Sequence, residues 1–445
     1  MKFKINIPTA ANELIHTLQN NGYSAYVVGG CVRDSILGRK PNDWDICTSA
    51  TPDEMLDIFK DRKIIETGLQ HGTITVVVNG EPYEITTYRI DGEYSDNRRP
   101  DSVIFTDKLK EDLSRRDFTV NAMAYNDNEG LIDYFNGLSD IQNGIIRCVG
   151  DPYKRFDEDA LRIMRAVRFS SQLDFYMERN TYNAIIEFVK NLNNISVERI
   201  NSELCKILVS QNPAYIIFEE DILCQIIPEF KPCIDFEQNN PYHCFTVDKH
   251  IGSTLIFDKS DDLIVRLALL FHDIGKPYCF QDGEDGIRHF KGHGRVSAEI
   301  TDNIMKRLRF DNDTRNKVVE LVHYHDATFE VGKKYVKRWL NKIGEDQFRR
   351  LLEIRKADIK GQKPNYVQSR IEKVDNMAKI LEEVLRGDEC FSLKDLSVNG
   401  KDLMSIGYKT GKELGNTLNE LLQLVIDGDC CNEKEILLQE AERRI

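Results

Sequence analysis

The sequence predicts an α+β N-terminal region built on a small mixed sheet, followed by an all-α remainder of the 445-residue chain. Three observations carry this expectation. Up to about residue 150, short β-branched and aromatic runs alternate with glycine, proline and asparagine. Beyond Asp151 the apolar residues recur at three- and four-residue spacing, as one face of a helix requires. Pro228, Pro232 and Pro241 then interrupt "IPEFKPCIDFEQNNPYH" and mark a boundary inside the helical part. A second boundary follows "KADIKGQKPN", so the expected regions are 1–145, 146–235, 240–365 and 366–445.

The elements follow in order. "AYVVGG" reads as a strand that ends on a glycine pair, and "DWDICTS" as a second strand. "TPDEMLDIFK" is a helix opened by Thr51, with Glu54 in capping-box spacing. "ITVVVNGEPYEITTYRI" is a hairpin that turns at Asn79-Gly80, the dipeptide that accepts two positive φ angles. After the polar loop "DGEYSDNRRPDS" comes "RRDFTVNAMAY". The first long helical patterns are "DEDALRIMRAVRFSSQL" and "SVERINSELCKILVS".

Composition narrows the class. The N-terminal "MKFKINIPTAANELIHTLQNNG" has no apolar core of a signal peptide, and no run is long enough to span a bilayer. Eleven cysteines without any C-x-x-C spacing read as reduced thiols, so a cytoplasmic protein with no membrane partner is expected. A net charge of −13 argues against non-specific coating of nucleic acid but leaves room for a local basic track. "KKYVKRWLNK" and the later Arg349, Arg350, Arg355, Lys356, Lys360 and Lys363 are the candidates, with a solvated helix face as the simpler reading.

The first candidate site is "GGCVRDSILGRKPNDWDIC". Asp43 and Asp45 stand two apart, so on a strand both carboxylates face one side. Two such carboxylates repel unless they share a cation, which suits Mg²⁺. Gly29-Gly30 permits close backbone approach, the following helix offers N–H groups to a phosphate, and Arg33 adds a fork for phosphate oxygens.

"VVGGCVRDSILGRKPNDWDICTSATP", "GLQHGTITVV", "LSRRDFTVNAMAY", "RFDEDALRIMRAVRF" and "SVERINSEL" together resemble, in this order, the motifs of class II tRNA nucleotidyltransferases. The resemblance covers roughly the first 210 residues. It implies a polymerase-β-like nucleotidyltransferase head, with Asp43 and Asp45 holding catalytic Mg²⁺, Gly30 and Arg33 taking the triphosphate, and Arg116 contacting the nucleotide. Asp159, Arg162, Arg165 and Arg168 lie three apart and on their own read as a salt-bridge stripe on one helix face. The resemblance implies instead that Asp159 and Arg162 read the base of CTP or ATP, while Arg165 and Arg168 serve sugar and phosphates. It further implies tRNA as the partner and addition of CCA to its 3′ end. "GLQHGT" is similar to the tRNA-specific branches, and Asp96 and Arg99 match the lever by which full CCA-adding members switch from C to A. Poly(A) polymerase and CC-adding or A-adding enzymes are the alternatives within the class.

A second constellation lies downstream. His250, His272-Asp273, His293, His323, His325 and Asp358 recur across successive helical patterns, and imidazole with carboxylate suits a divalent metal of a hydrolase. The pattern resembles the HD phosphohydrolase superfamily. That resemblance puts His250, His272, Asp273 and Asp358 on the four core positions, and His293 and His325 on the extra ligands of two-metal members. It implies a transition metal such as Ni²⁺, Co²⁺ or Mn²⁺, and hydrolysis of 2′,3′-cyclic phosphates or phosphomonoesters. In the last segment, Gly411 and Gly415 suggest a close helix approach, with contact to the tRNA elbow as the expected role. A reading from another class, an HD-type nucleotide hydrolase with a nucleotide-sensing front half, leaves the intact Asp43, Asp45 and "EDALR" unexplained.

Overall fold

A computed structural model describes residues 4–92, 102–328, 330–387 and 389–444. The chain forms two compact units, Met1–Pro228 and Glu229–Ile445.

In the first unit the strands are β1 (Ala25–Val28), β2 (Ile46–Thr48), β3 (Lys63–Ile65), β4 (Thr73–Val78), β5 (Glu81–Thr87), β6 (Arg89–Asp91), β7 (Val103–Phe105), β8 (Met123–Asn126) and β9 (Gly130–Asp133). Seven of them make one mixed sheet in the order β3-β4-β5-β2-β1-β8-β9, while β6 and β7 pair as a separate ribbon. All neighbours in the large sheet are antiparallel except β2 and β5, which run parallel with Ile46 beside Ile85. The alternation in β4 buries Ile74, Val76 and Val78 and leaves Thr73, Thr75 and Val77 half-exposed, so one face meets the core. Helix Thr9–Asn20 adds Ala11, Leu14, Ile15 and Leu18 to that core. The β4–β5 turn has Asn79 at φ 53° and Gly80 at φ 88°, the mirror-image turn expected of this dipeptide. The capping box at Thr51 is formed, with Glu54 Oε2 accepting from Thr51 N at 2.7 Å.

Helices Pro152–Glu158, Leu161–Leu173, Arg179–Phe188 and Val197–Leu208 follow. The helical part is not purely α: Ile145–Ile146 and Tyr176–Met177 form a two-residue parallel pair. In the second unit a small hairpin joins Gln281–Asp282 to Arg288–His289 around Gly286 at φ 75°.

The second unit begins with helices Val247–Phe257 and Leu263–Phe271. The latter is apolar except for Arg266, which pairs with Asp258, and is buried from Val265 to Phe271. Helices His293–Arg307, Asn312–Tyr324 and Lys333–Lys360 complete the surroundings of the second constellation, the last bent at Gly344, where φ is 78°. The C-terminal helices Gly400–Ser405, Lys412–Asp427 and Lys434–Glu442 close their own core around Leu403, Leu421, Leu422 and Leu437. Burying each such leucine contributes roughly 1.5–3 kcal/mol.

Two expectations change here. The cations of "KKYVKRWLNK" do not form an open track, because Lys333 and Lys337 pair with Glu389, and Lys334 and Arg338 with Asp427. They fasten their helix to the C-terminal segment. A Cβ on Gly411 or Gly415 would meet nothing within 4 Å, so these glycines do not serve a close helix approach, and Gly411 instead opens its helix at φ 141°.

Candidate functional site

The glycine turn builds the floor of the first pocket. Gly29 follows β1 at φ 82° and caps the helix Gly30–Ile36, and its N–H donates to Met123 O at 3.1 Å. A Cβ there would stand 2.9 Å from Nη1 of Arg116, so only glycine lets that guanidinium lie over the turn. Asp112, buried on the helix Leu109–Ser114, holds Arg116 at 3.5 Å and Arg115 at 2.8 Å.

Asp43 and Asp45 lie in the lead-in to β2 rather than inside it, although Asp45 O still accepts from Val28 N at 3.0 Å. Glu84, one step before Ile85 on β5, stands in register with Asp45, one step before Ile46. Desolvation raises the Asp45 carboxyl, Arg116 pulls it down, and Glu84 and Asp43 push it up again, for a net rise. Asp43 and Asp45 beside Arg116, with Glu84 adding its field at Asp45, are short of positive charge, and a divalent cation fits that deficit. The sequence reading missed Glu84, since only the parallel β2–β5 register makes it a neighbour.

The opposite wall comes from the Leu161–Leu173 helix. Asp159 is not on that helix. It sits in the break after Glu158 at φ −144° and ψ 101°, with Oδ1 accepting from Leu161 N at 3.0 Å and Oδ2 bridged to Arg199 at 3.1 Å. A capping carboxylate favours that extended backbone over another helical turn, so the single helical stripe is corrected to a cap plus three arginines. Arg162, only 7% exposed, donates to Glu158 Oε2 at 2.8 Å, Arg155 O at 3.0 Å and Arg115 O at 3.3 Å. Arg168 pairs with buried Glu203 at 2.6 Å.

One relay joins the walls. Arg33 Nη1 donates to Asn121 Oδ1 at 2.5 Å, Asn121 Nδ2 donates to Asp117 Oδ1 at 3.1 Å, and Arg165 Nε donates to Asp117 Oδ2 at 2.7 Å. Burial opposes charge on Asp117, but Arg165, the Asn121 amide and the Phe118 N–H outweigh it and hold its carboxyl at about 2. The Phe169 ring carries Arg33, Arg165 and Arg168 at 5.0, 5.3 and 4.2 Å from its centroid, which spaces the three cations. Asp117, Asn121, Arg199 and Glu203 were not singled out from the sequence. The spacing of Arg199 and Glu203 at i,i+4 on the Val197–Leu208 helix is the signal that could have found the last two.

The result is a cleft of about 800 Å³ that brings Gly30, Arg33, Asp43, Asp45, Arg116, Asp159, Arg162, Arg165 and Arg168 together. Eight arginines and Lys206 face five aspartates in its lining, so the pocket is electropositive on a chain of net charge −13. That local field favours a polyanion such as a triphosphate. Asp96 and Arg99 lie outside the described residues.

The second unit gathers all six expected ligands. The Nδ1 atoms of His250, His272, His293 and His325 lie 3.2, 2.7, 2.8 and 2.7 Å from the carbonyl oxygens of Gly361, Leu269, Phe290 and Val322. A carbonyl only accepts, so each Nδ1 carries the hydrogen and each Nε2 presents a lone pair. Those lone pairs face acceptors. His250 Nε2 is 3.1 Å from Asp358, His272 Nε2 is 3.2 Å from Asp273, and His293 Nε2 is 3.0 Å from His325 Nε2. His293 and His325 also approach Asp273 Oδ1 at 3.4 and 3.5 Å. Acceptor against acceptor is unfavourable without a cation between, and fixing Nδ1 on a carbonyl is how metal-binding imidazoles are oriented. Two triads, His250–His272–Asp273 and Asp273–His293–His325, share the aspartate. Burial works against charge on His272, yet Asp273 raises its proton affinity, whereas burial beside His293 and His272 pushes His325 down. His323 is exposed and outside the cluster. Lys276, paired with Asp273 at 2.6 Å, was not anticipated.

Comparisons with known proteins agree on the lineage. The model of the poly A polymerase head domain matches residues 25–147, that of an RNA- and SrmB-binding site of polymerase A matches 174–234, and that of tRNA nucleotidyltransferase domain 2 matches 281–441. The chain is 34% identical to the CCA-adding enzyme of Ligilactobacillus salivarius, with 98% of each chain covered. It is 33% identical to that of Enterococcus faecalis, covering 98% of this chain and 95% of the relative. Among solved structures it is similar to the Bacillus stearothermophilus CCA-adding enzyme in complex with CTP, at TM-score 0.71 and 29% identity, with 98% and 96% of the two chains covered. The Thermotoga maritima CCA-adding enzyme complexed with tRNA shares the fold at TM-score 0.61 and 22% identity, with 98% and 94% covered.

Proposed function

The chain belongs to the CCA-adding enzymes, and from that premise we propose how its residues carry the reaction. It is a nucleotidyltransferase that adds CCA to the 3′ end of tRNA from CTP and ATP, using a divalent metal. The observation that carries the residue assignment is the meeting of Asp43 and Asp45, the glycine turn and the arginine wall in one electropositive cleft.

In this reading Asp43 and Asp45 hold Mg²⁺, with Glu84 completing the acidic face. An ion held by Asp43 and Asp45 would supply charge neutralisation to the triphosphate and a lowered pKa to the 3′-hydroxyl. Arg33 and Arg116 take phosphate oxygens above Gly29-Gly30, and Arg165 and Arg168 serve the sugar and phosphates from the opposite wall. Arg162 donates to the ring acceptor of the base, and Asp159 accepts from its exocyclic amine. Each Asp159 oxygen keeps a lone pair beyond the bond it already accepts. Cytosine and adenine both offer an amine beside a ring acceptor, while uracil and guanine offer the reverse, so the pair admits CTP and ATP. Glu158 and Arg199 position the readers through their ion pairs with Arg162 and Asp159.

The regions implied are a head at 1–145, a neck and body at 146–235, an HD domain at 240–365 and a helical C-terminal segment at 366–445. The facing lone pairs favour a second activity, with Ni²⁺, Co²⁺ or Mn²⁺ held by His250, His272, Asp273 and Asp358, a second ion by His293 and His325, and hydrolysis of 2′,3′-cyclic phosphates or phosphomonoesters. The test of the main site is Asp43→Ala and Asp45→Ala in Mg²⁺. Both variants should keep the fold and bind tRNA, and both should lose nucleotide addition. Addition at the wild-type rate by either one refutes the assignment.

A further inference from the structure

The metal cluster has a polar neighbour that its ligand set leaves unused. The His243 ring packs edge-on against His250 with centroids 4.8 Å apart, and its Nδ1 is buried without a hydrogen-bond partner among the described residues. An unmatched buried ring nitrogen is unfavourable, so something other than packing accounts for a histidine here.

The loop around it is fastened at several points. Asn240 Oδ1 accepts from Tyr242 N and His243 N at 3.0 and 3.1 Å, and Lys363 N donates to Tyr242 O at 2.9 Å. Gln238 Nε2 donates to Phe245 O at 3.0 Å, while Gln238 Oε1 accepts from Lys276 Nζ at 2.7 Å. Lys276 is the partner of Asp273, and Lys363 lies five residues beyond Asp358. The ring is thus held beside the ligand set through its backbone, with its Nδ1 uncommitted.

The same ring lines a cleft of about 710 Å³, together with Asn240, Phe245 and Lys363. That volume lies within the range of small-molecule sites, roughly 300–1,000 Å³. Lys276, His250, Asp273 and Asp358 are the charged and titratable groups that face His243.

We propose that His243 is a substrate-binding residue of the HD centre, giving a hydrogen bond to the phosphoryl group of a phosphate ester whose organic part, up to nucleoside size, occupies the 710 Å³ cleft. This rests on the reading of the cluster as a metal centre. It adds a protein contact beside His250, facing a cleft whose lining includes none of the six ligands.

The experiment uses the full chain loaded with Mn²⁺. Metal analysis gives the Mn²⁺ content beyond the share lost on Asp43→Ala with Asp45→Ala, and calorimetry, with CTP saturating the first cleft, follows binding of inorganic phosphate and of adenosine 3′-monophosphate. The wild type should bind both, the nucleotide at least tenfold more tightly. His243→Phe and His243→Leu, which remove both ring nitrogens, should retain the wild-type Mn²⁺ content and bind phosphate at least tenfold more weakly. Phosphate affinity within twofold of wild type in both variants overturns the His243 assignment and leaves the metal reading standing. Loss of Mn²⁺ in both variants also overturns it, because His243 then serves the metal or the fold. Equal affinity of the wild type for phosphate and nucleotide overturns the cleft as the organic subsite. A wild type that takes up no Mn²⁺ beyond that share overturns the metal reading itself, and the His243 proposal falls with it.

Discussion

Asp117→Asn removes one charge at the point where the glycine-turn wall and the arginine wall of the first cleft are joined, while keeping the side-chain shape. Asp117 accepts from Arg165 through Nε at 2.7 Å and Nη2 at 2.5 Å, and from Asn121 and the Phe118 N–H. Losing one charged hydrogen bond costs about 1.5–3 kcal/mol. Arg165 keeps about a third of its side chain in solvent, which argues for the lower half of that range. The carboxyl, held at about 2 against an ordinary 3.8, gives an independent figure of roughly 2 kcal/mol. A depressed carboxylate pKa stabilises the fold fully above the unfolded value, and that contribution is lost as pH falls through the folded value. The wild type should therefore exceed Asp117→Asn by roughly 2 kcal/mol at pH 7 in urea unfolding, with the gap closing between about pH 4 and pH 2. The kcat/KM for CTP should fall at least tenfold, because Arg33 and Arg165 lose their shared anchor. Equal stability of the two proteins at pH 7, together with unchanged kcat/KM, refutes the relay.

Two further outcomes follow from the same geometry. Arg162→Ala should relax base choice by roughly 1.5–3 kcal/mol, seen as UTP and GTP incorporation rising relative to CTP and ATP. Unchanged rejection of UTP and GTP contradicts the base-reading role. His272→Ala with Asp273→Ala should lose the Mn²⁺ of that cluster by metal analysis while keeping the ion at Asp43 and Asp45, and should lose any hydrolysis of 2′,3′-cyclic AMP, yet leave CCA addition at the wild-type rate, since none of the first cleft's groups belongs to that cluster.

Much of this was legible before any coordinates, for identifiable reasons. The Asn79-Gly80 hairpin and the Thr51 capping box are fixed by residues adjacent in sequence, and local chemistry decided them. The gathering of His250, His272, Asp273, His293, His325 and Asp358 was foreseeable because histidine and aspartate recur across successive helical patterns. The helical stripe through Asp159 failed because a capping carboxylate and Arg199, 40 residues away, hold that residue extended. Glu84 depends on a parallel strand register that no local pattern announces. His243 escaped notice because its meaning lies in a contact with His250 and a missing hydrogen bond. The basic run at Lys333–Lys342 misled in the other direction, since its acidic partners come from residues 389 and 427.

The central claim is that protein side chains in one cleft choose the bases added to tRNA. Incorporation of each labelled nucleoside triphosphate into tRNA ending before the first C, after the first C and after the second C tests it most directly. The account predicts CTP at the first two positions, ATP at the third, a stop thereafter, and neither UTP nor GTP anywhere. Runs of A, arrest after the second C with ATP present, or ready use of UTP or GTP contradicts it.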